Sequence, residues 1–226
     1  MSRFLITILL LVATAVQAAE QKKANRVSVP RVQAVPTIDG KLSPKEWTSA
    51  RQVALADGAH ARLQHDGRFL YIALIGKRAG IGSICTPNGT QSQVRVLHAS
   101  AGLGTAVYDK KGDKWSLTRG FTFTNRDTSN SQTGIKDKKA FLAAEGWFAN
   151  THPAGTMERE YQLPIGGRRE VPLVLSFMSF LGPNELDLDA WPETVTDACV
   201  ELDLAGGWTE REYTFAPETW GIAVID

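Results

Sequence analysis

The chain predicts an all-β fold, an antiparallel two-sheet β-sandwich with one or two short helices, on three observations. Short β-branched or aromatic runs recur along it, as in Phe69-Leu70-Tyr71-Ile72-Ala73-Leu74-Ile75. Glycine and proline, 20 and 10 residues, are scattered between those runs as turn signals rather than gathered in one region. Strands alternating with long helical patterns, the mark of a parallel α/β sheet, are missing.

The N-terminus has the order of an export signal. Arg3 is followed by the apolar run from Phe4 to Val12, and small residues end in Val16-Gln17-Ala18. That charged, apolar, small-residue sequence predicts a signal peptide over 1–18 with cleavage after Ala18 or Ala19. The apolar run is shorter than the roughly 20 residues needed to cross a bilayer, so no membrane span is expected in the mature chain. A polar lead over 19–26 is expected to be disordered. One domain over 27–226 follows, and the protein is expected to be secreted or periplasmic.

Charge excludes whole classes of partner. Loss of Arg3 with the leader brings the 25 basic residues level with the 24 acidic ones. A chain near neutrality offers no field to steer a nucleic acid or an anionic membrane. Its two cysteines, Cys85 and Cys199, would meet an oxidising compartment after export. A disulfide between them and a pair of buried thiols both remain open at this point.

Hairpins are expected over His60 to Ile75, around His65-Asp66-Gly67-Arg68, and over Thr105 to Thr118, around Lys110-Lys111-Gly112-Asp113. The apolar run Phe69 to Ile75 reads as a strand buried on both sides. Further strands fit Gln93 to His98, Gly120 to Thr124, Glu158 to Leu163, Val171 to Phe180, Cys199 to Leu204, Glu212 to Phe215 and Trp220 to Ile225. Helix is expected over Pro44 to Ala50, with Ser43 as N-cap, and over Lys138 to Trp147, where Phe141, Leu142 and Glu145 have helical spacing.

Val35-Pro36-Thr37-Ile38-Asp39-Gly40-Lys41-Leu42-Ser43-Pro44-Lys45-Glu46-Trp47 resembles the opening of the carbohydrate-binding module family 9-like domains, part of the DOMON-like sandwich group. Asp66-Gly67-Arg68-Phe69-Leu70-Tyr71-Ile72-Ala73, Glu160-Tyr161-Gln162-Leu163-Pro164 and Trp220-Gly221 are similar to later pieces of those domains. The resemblance implies two antiparallel sheets and, in sugar-binding members, a groove where aromatic rings stack on a saccharide. In the wider group it also implies haem or structural calcium in some members. Trp47 itself reads as core.

Candidate ligand contacts come from loops and strand ends. His98 ends a strand and is followed by the small residues Ala99-Ser100-Ala101-Gly102, which leave room beside it. Arg126 and Asp127 lie just past the aromatic alternation Phe121-Thr122-Phe123. Trp147 ends the second helix, and Trp191 follows the acidic Asp187-Leu188-Asp189. His98, Ser100, Arg126, Asp127, Trp147 and Trp191 are therefore the candidate binding set, with His98 and Trp147 expected to line one concave, partly exposed pocket. For calcium, Glu185, Asp187 and Asp189 alternate but lack an EF-hand's spacing, so an exposed acidic strand edge is the expectation.

Enzyme motifs are missing: there is no Gly-x-Ser-x-Gly, His-Glu-x-x-His, phosphate loop or Cys-x-x-Cys. The leading expectation is an exported non-catalytic protein that binds a carbohydrate or another small polar ligand. One alternative is a b-type haem electron-transfer domain using His98 with Met157 or Met178. Another is a sugar-active hydrolase or isomerase, since two carboxylates for glycoside hydrolysis need no local motif.

Overall fold

The computed structural model of the chain describes residues 25–32, 34–55, 58–125, 132–151, 157–182, 185–200 and 213–226. The expected signal peptide, most of the polar lead, and Arg126 and Asp127 lie outside the described residues.

Two sheets form the sandwich, as the sequence predicts. The larger has nine strands: β1 (Arg26–Val29), β5 (Gly80–Asn88), β6 (Thr90–Ala99), β7 (Gly102–Lys111), β8 (Lys114–Arg119), β9 (Thr124–Asn125), β12 (Glu170–Gly182), β13 (Glu185–Trp191) and β14 (Gly221–Ile225). Its main order is β1-β14-β12-β5-β6-β7-β8, with β13 beside β12 and β9 beside β7. The smaller has five strands in the order β10-β11-β4-β3-β2, namely β2 (Arg51–Ala54), β3 (His60–His65), β4 (Phe69–Ile75), β10 (Phe148–Asn150) and β11 (Glu158–Pro164). Among the described residues, the named strands pair antiparallel except β1 with β14.

Both expected hairpins form, β3–β4 and β7–β8. Ile84, Leu97, Leu175 and Phe177 of the large sheet share one core with Leu63, Ile72, Leu74 and Tyr161 of the small one. The sheets approach closely at Gly82, where an added Cβ would sit 2.7 Å from the Tyr161 hydroxyl oxygen. Glycine is needed there because a side chain would force the layers apart.

Each sheet is also covered on its outer face, which explains why β4 is buried at both its odd and even positions. Segment 36–50 covers the small sheet through Ile38 and Trp47. Over the large sheet, Val195, Ala198, Cys199, Tyr213, Phe215 and Trp220 close a second core on Val94, Val96, Ala106, Tyr108, Trp115 and Val174. Cys85 and Cys199 form a disulfide that fastens this cover to β5, with Cα atoms 6.0 Å apart. Asp197 organises the cover, accepting from the Cys199 and Ala216 backbone N–H groups and from the Trp220 indole at 2.6 Å.

Several expected elements differ. Pro44 to Ala50 forms only turns, closed by Glu46 N–H to the Ser43 carbonyl and Ala50 N–H to the Trp47 carbonyl, each three residues back. Its conformation is set by side chains of the small sheet rather than by helical bonding. Gly120 to Thr124 contributes only Thr124 to a strand, and Ala198–Val200 is a 3-10 turn where an extended strand was expected to begin. The second helix, α1 (Gln132–Glu145), begins earlier than expected and ends at Gly146, whose φ of 72° reverses the chain into the core.

Candidate functional site

The site is built on the inner face of the large sheet, where α1 lies across it. Along β7, Thr105 and Val107 point inward while Ala106 and Tyr108 belong to the outer core. At the end of β8, Arg119 pairs with Val107 and so lies on the inner face too. Gly120, Thr122 and Thr124 carry the chain from there to β9. From the other side, α1 presents Asp137, Ala140, Phe141, Ala144 and Glu145, spaced as one helical stripe. These residues and Thr105 enclose an open cleft of about 520 Å³.

The Arg119 guanidinium donates two parallel hydrogen bonds to the Glu145 carboxylate, at 3.1 and 2.8 Å. Both side chains stay partly exposed, at 48 and 21 %, so the pair adds little to stability and instead holds two planar polar groups at the cleft's rim. Behind it, Arg95 on β6 donates to the Glu145 carbonyl at 3.2 Å and fixes the last turn of α1. Burial lowers the Arg95 pKa, nearby Arg168 lowers it further, and Glu145 opposes them. The Phe141 ring meets Trp147 edge-on, with centroids 5.3 Å apart.

Trp147 is fully buried, and its indole N–H donates to the Thr105 hydroxyl at 2.8 Å. It supports the cleft from beneath instead of lining it. His98 is also buried, on the opposite face of the same sheet, because it pairs with Gly104 while Leu97 pairs with Thr105. Its Nε2 lies 3.0 Å from the Ser100 hydroxyl, and Phe121 and Phe123 enclose the ring edge-on. Burial, with help from the charge of Arg159, pulls the His98 pKa down to about 4, so the ring is neutral near pH 7. The expectation that His98 and Trp147 share one partly exposed pocket is therefore corrected, since alternation along β6 and β7 sends them to opposite faces. Ser100 closes its own tight turn with Gly102, and Trp191 is buried against Gly221.

The acidic segment forms edge strand β13 as expected, but Asp189 turns inward and is buried, with the Lys77 ammonium 3.8 Å from Asp189 and 3.2 Å from Asp187. Among the described residues, no group of three or more His, Cys, Asp or Glu side chains is placed to share a metal ion. Met157 is exposed and Met178 buried. Among the same residues no helix is long and apolar enough to cross a membrane.

The cleft residues Arg119, Asp137 and the three threonines were not among the sequence candidates. Phe141 and Glu145 gave a signal, their helical spacing, but not one that assigns them to a cleft.

No protein-family model matches the chain, and no curated protein matches it. Among solved structures, it is similar to a Bacteroides uniformis chain named a "putative carbohydrate-binding protein", at 10% identity and a TM-score of 0.45, over 89% of this chain and 99% of that one. What the cleft binds is accordingly read from its own chemistry.

Proposed function

We propose that the protein is an exported, non-catalytic binding protein that takes a carbohydrate, or a similarly polar small molecule, between α1 and strands β7 to β9. The observation that carries this reading is the mixture of groups around one open cleft. Phe141 offers part of an apolar ring, Arg119, Asp137 and Glu145 offer planar polar edges, and the exposed Thr122 and Thr124 offer hydroxyls. Sugars need this pairing of apolar surface for their C–H faces with fixed donors and acceptors for their hydroxyls. The Ile38-Asp39-Gly40 to Trp47 resemblance to family 9-like modules agrees with it, as does the apolar leader before residue 19.

The carboxylates of the cleft are not arranged as a hydrolytic pair. Asp137 and Glu145 lie eight residues apart on one helix stripe and reach the cleft from the same wall. Glycoside hydrolysis needs two carboxyl groups on opposite sides of the scissile bond. Both residues here approach from the same side, and Glu145 is held by Arg119.

The test is a glycan array probed with the protein lacking its leader, followed by calorimetry on any hit. Arg119→Ala is expected to weaken a true ligand about ten-fold or more, equivalent to about 1.4 kcal/mol. A hit unaffected by Arg119→Ala, Asp137→Ala and Thr122→Ala would place binding elsewhere and sink this assignment.

A further inference from the structure

The inner face of the large sheet continues past the cleft. In the register of β6 and β7, Leu97 pairs with Thr105, Arg95 with Val107, and Gln93 with Asp109. Side chains two apart on a strand share a face, so Thr105, Val107 and Asp109 form one line beside Leu97, Arg95 and Gln93. Thr105 lies in the cleft under α1. At the other end of that line, Gln93 and Asp109 join Asn88, Ser92 and Lys111 around a second open cavity of about 380 Å³. Between the two cavities stand the Arg95–Val107 row and Arg119, with Glu145 bonded to both arginines, to Arg95 through its carbonyl and to Arg119 through its carboxylate. Gln93, Arg95, Val107 and Asp109 are all half-buried. The line from Thr105 to Asp109 spans four residue steps, or roughly 13 Å of strand.

The second cavity is preorganised. The Asn88 amide donates to the Gln93 side-chain oxygen, and the Gln93 amide donates to the Asp109 carboxylate at 2.7 Å. This ladder crosses three neighbouring strands and holds three planar polar side chains in fixed orientation, which lowers the entropy cost of using them for recognition. The first cavity has an aromatic ring beside its polar groups, whereas the second is lined by polar side chains throughout.

We propose that the ligand is a chain of at least three linked sugar units, the first under α1 and the third on the Asn88–Gln93–Asp109 ladder, with the unit between them at Arg119 and Glu145. This deepens the sugar-binding reading and rests on it. The two cavities are subsites of one groove, and the ladder selects for length.

Calorimetry against cello-, xylo- and malto-oligosaccharides of one to six units tests it. In one series, affinity should rise about ten-fold or more from one unit to three, and Gln93→Ala combined with Asp109→Ala should bring that long-to-short ratio near one. Both side chains are polar and only half-buried, so the double variant is expected to fold, and its melting curve verifies this. Equal affinity for one unit and for six, or a ratio unchanged in the double variant, overturns the groove and leaves the cleft reading intact. No binding at any length in all three series, with no hit on the wider array, overturns both.

Discussion

The Trp47 indole N–H donates to the Glu160 carboxylate at 3.0 Å, and both residues are buried on the outer face of the small sheet. The other carboxylate oxygen accepts the backbone N–H groups of Asp39, at 3.2 Å, and Gly40, at 2.7 Å. One side chain of β11 therefore ties the Ile38-Asp39-Gly40 turn and the following tryptophan to the sheet, with Asn150 donating to the Ile38 carbonyl beside it. Trp47→Ala is expected to destabilise the fold by about 3 to 5 kcal/mol, the usual cost of removing a large buried aromatic. Urea unfolding measures this, and a variant as stable as the parent contradicts the core assignment.

Glu160 also makes stability depend on pH. Burial pushes its pKa from 4.5 up to about 8, against the opposing pull of its N–H donors. The folded state then holds a proton that the unfolded state has released, so this contribution is complete below the unfolded pKa and is lost as pH rises toward 8. His98, lowered from 6.5 to about 4, acts with the opposite sign, its contribution being complete above pH 6.5. From about pH 6.5 to 8 the Glu160 effect therefore stands apart from that of His98. Melting temperature is expected to fall across that window in the parent and to stay level in Glu160→Gln; equal slopes in both proteins would falsify the linkage.

Thr105→Val should cost about 1 to 3 kcal/mol, because it leaves the Trp147 indole N–H buried without its acceptor. The conservative Thr105→Ser is expected to restore most of that loss. If both variants melt alike, the hydroxyl is not what holds Trp147.

Cys85→Ser with Cys199→Ser opens a bridge between residues 114 positions apart. Loop-closure entropy predicts a loss of about 4 to 5 kcal/mol for a span of that order, and fluorescence of Trp220 in the cover and Trp115 beneath it should change with it. A double variant whose stability matches that of the parent under oxidising conditions would show that the second core closes without its staple.

Fold class, hairpins and the doubly buried strand β4 were legible because each has a local cause: turn residues, alternation, or an unbroken apolar run. Strand β5 was not, since Gly80, Gly82 and Pro87 weaken its local pattern, and Gly82 is there to let the sheets meet. Nothing local distinguishes Glu160, whose partners lie 113 to 121 residues away, or the charged neighbour Arg159, which is also buried. The cleft was half-legible. Phe141 and Glu145 showed in the helical spacing, but the pairing of Arg119 with Val107, which brings β8 opposite them, is a property of register that a single sequence does not display. His98 and Trp147 failed as a pair for the same reason, because their faces depend on strand parity and on the sheet to which each belongs.

The pairing of β1 with β14 joins Arg26 to Ile222 and Val29 to Ile225, so the first strand waits for the last. A chain emerging N-terminus first must hold β1 unpartnered on this side until roughly 200 further residues have appeared, a closure that favours slow, late completion of the sheet. Fragments that stop before Gly221 should leave β1 without its sheet neighbour, whatever else they fold. Because the two strands run parallel, the chain enters β1 at the end of the sheet where β14 begins and leaves β14 at the opposite end. Attachment just before β1 and attachment just after β14 would therefore hold the domain from opposite ends of the sheet.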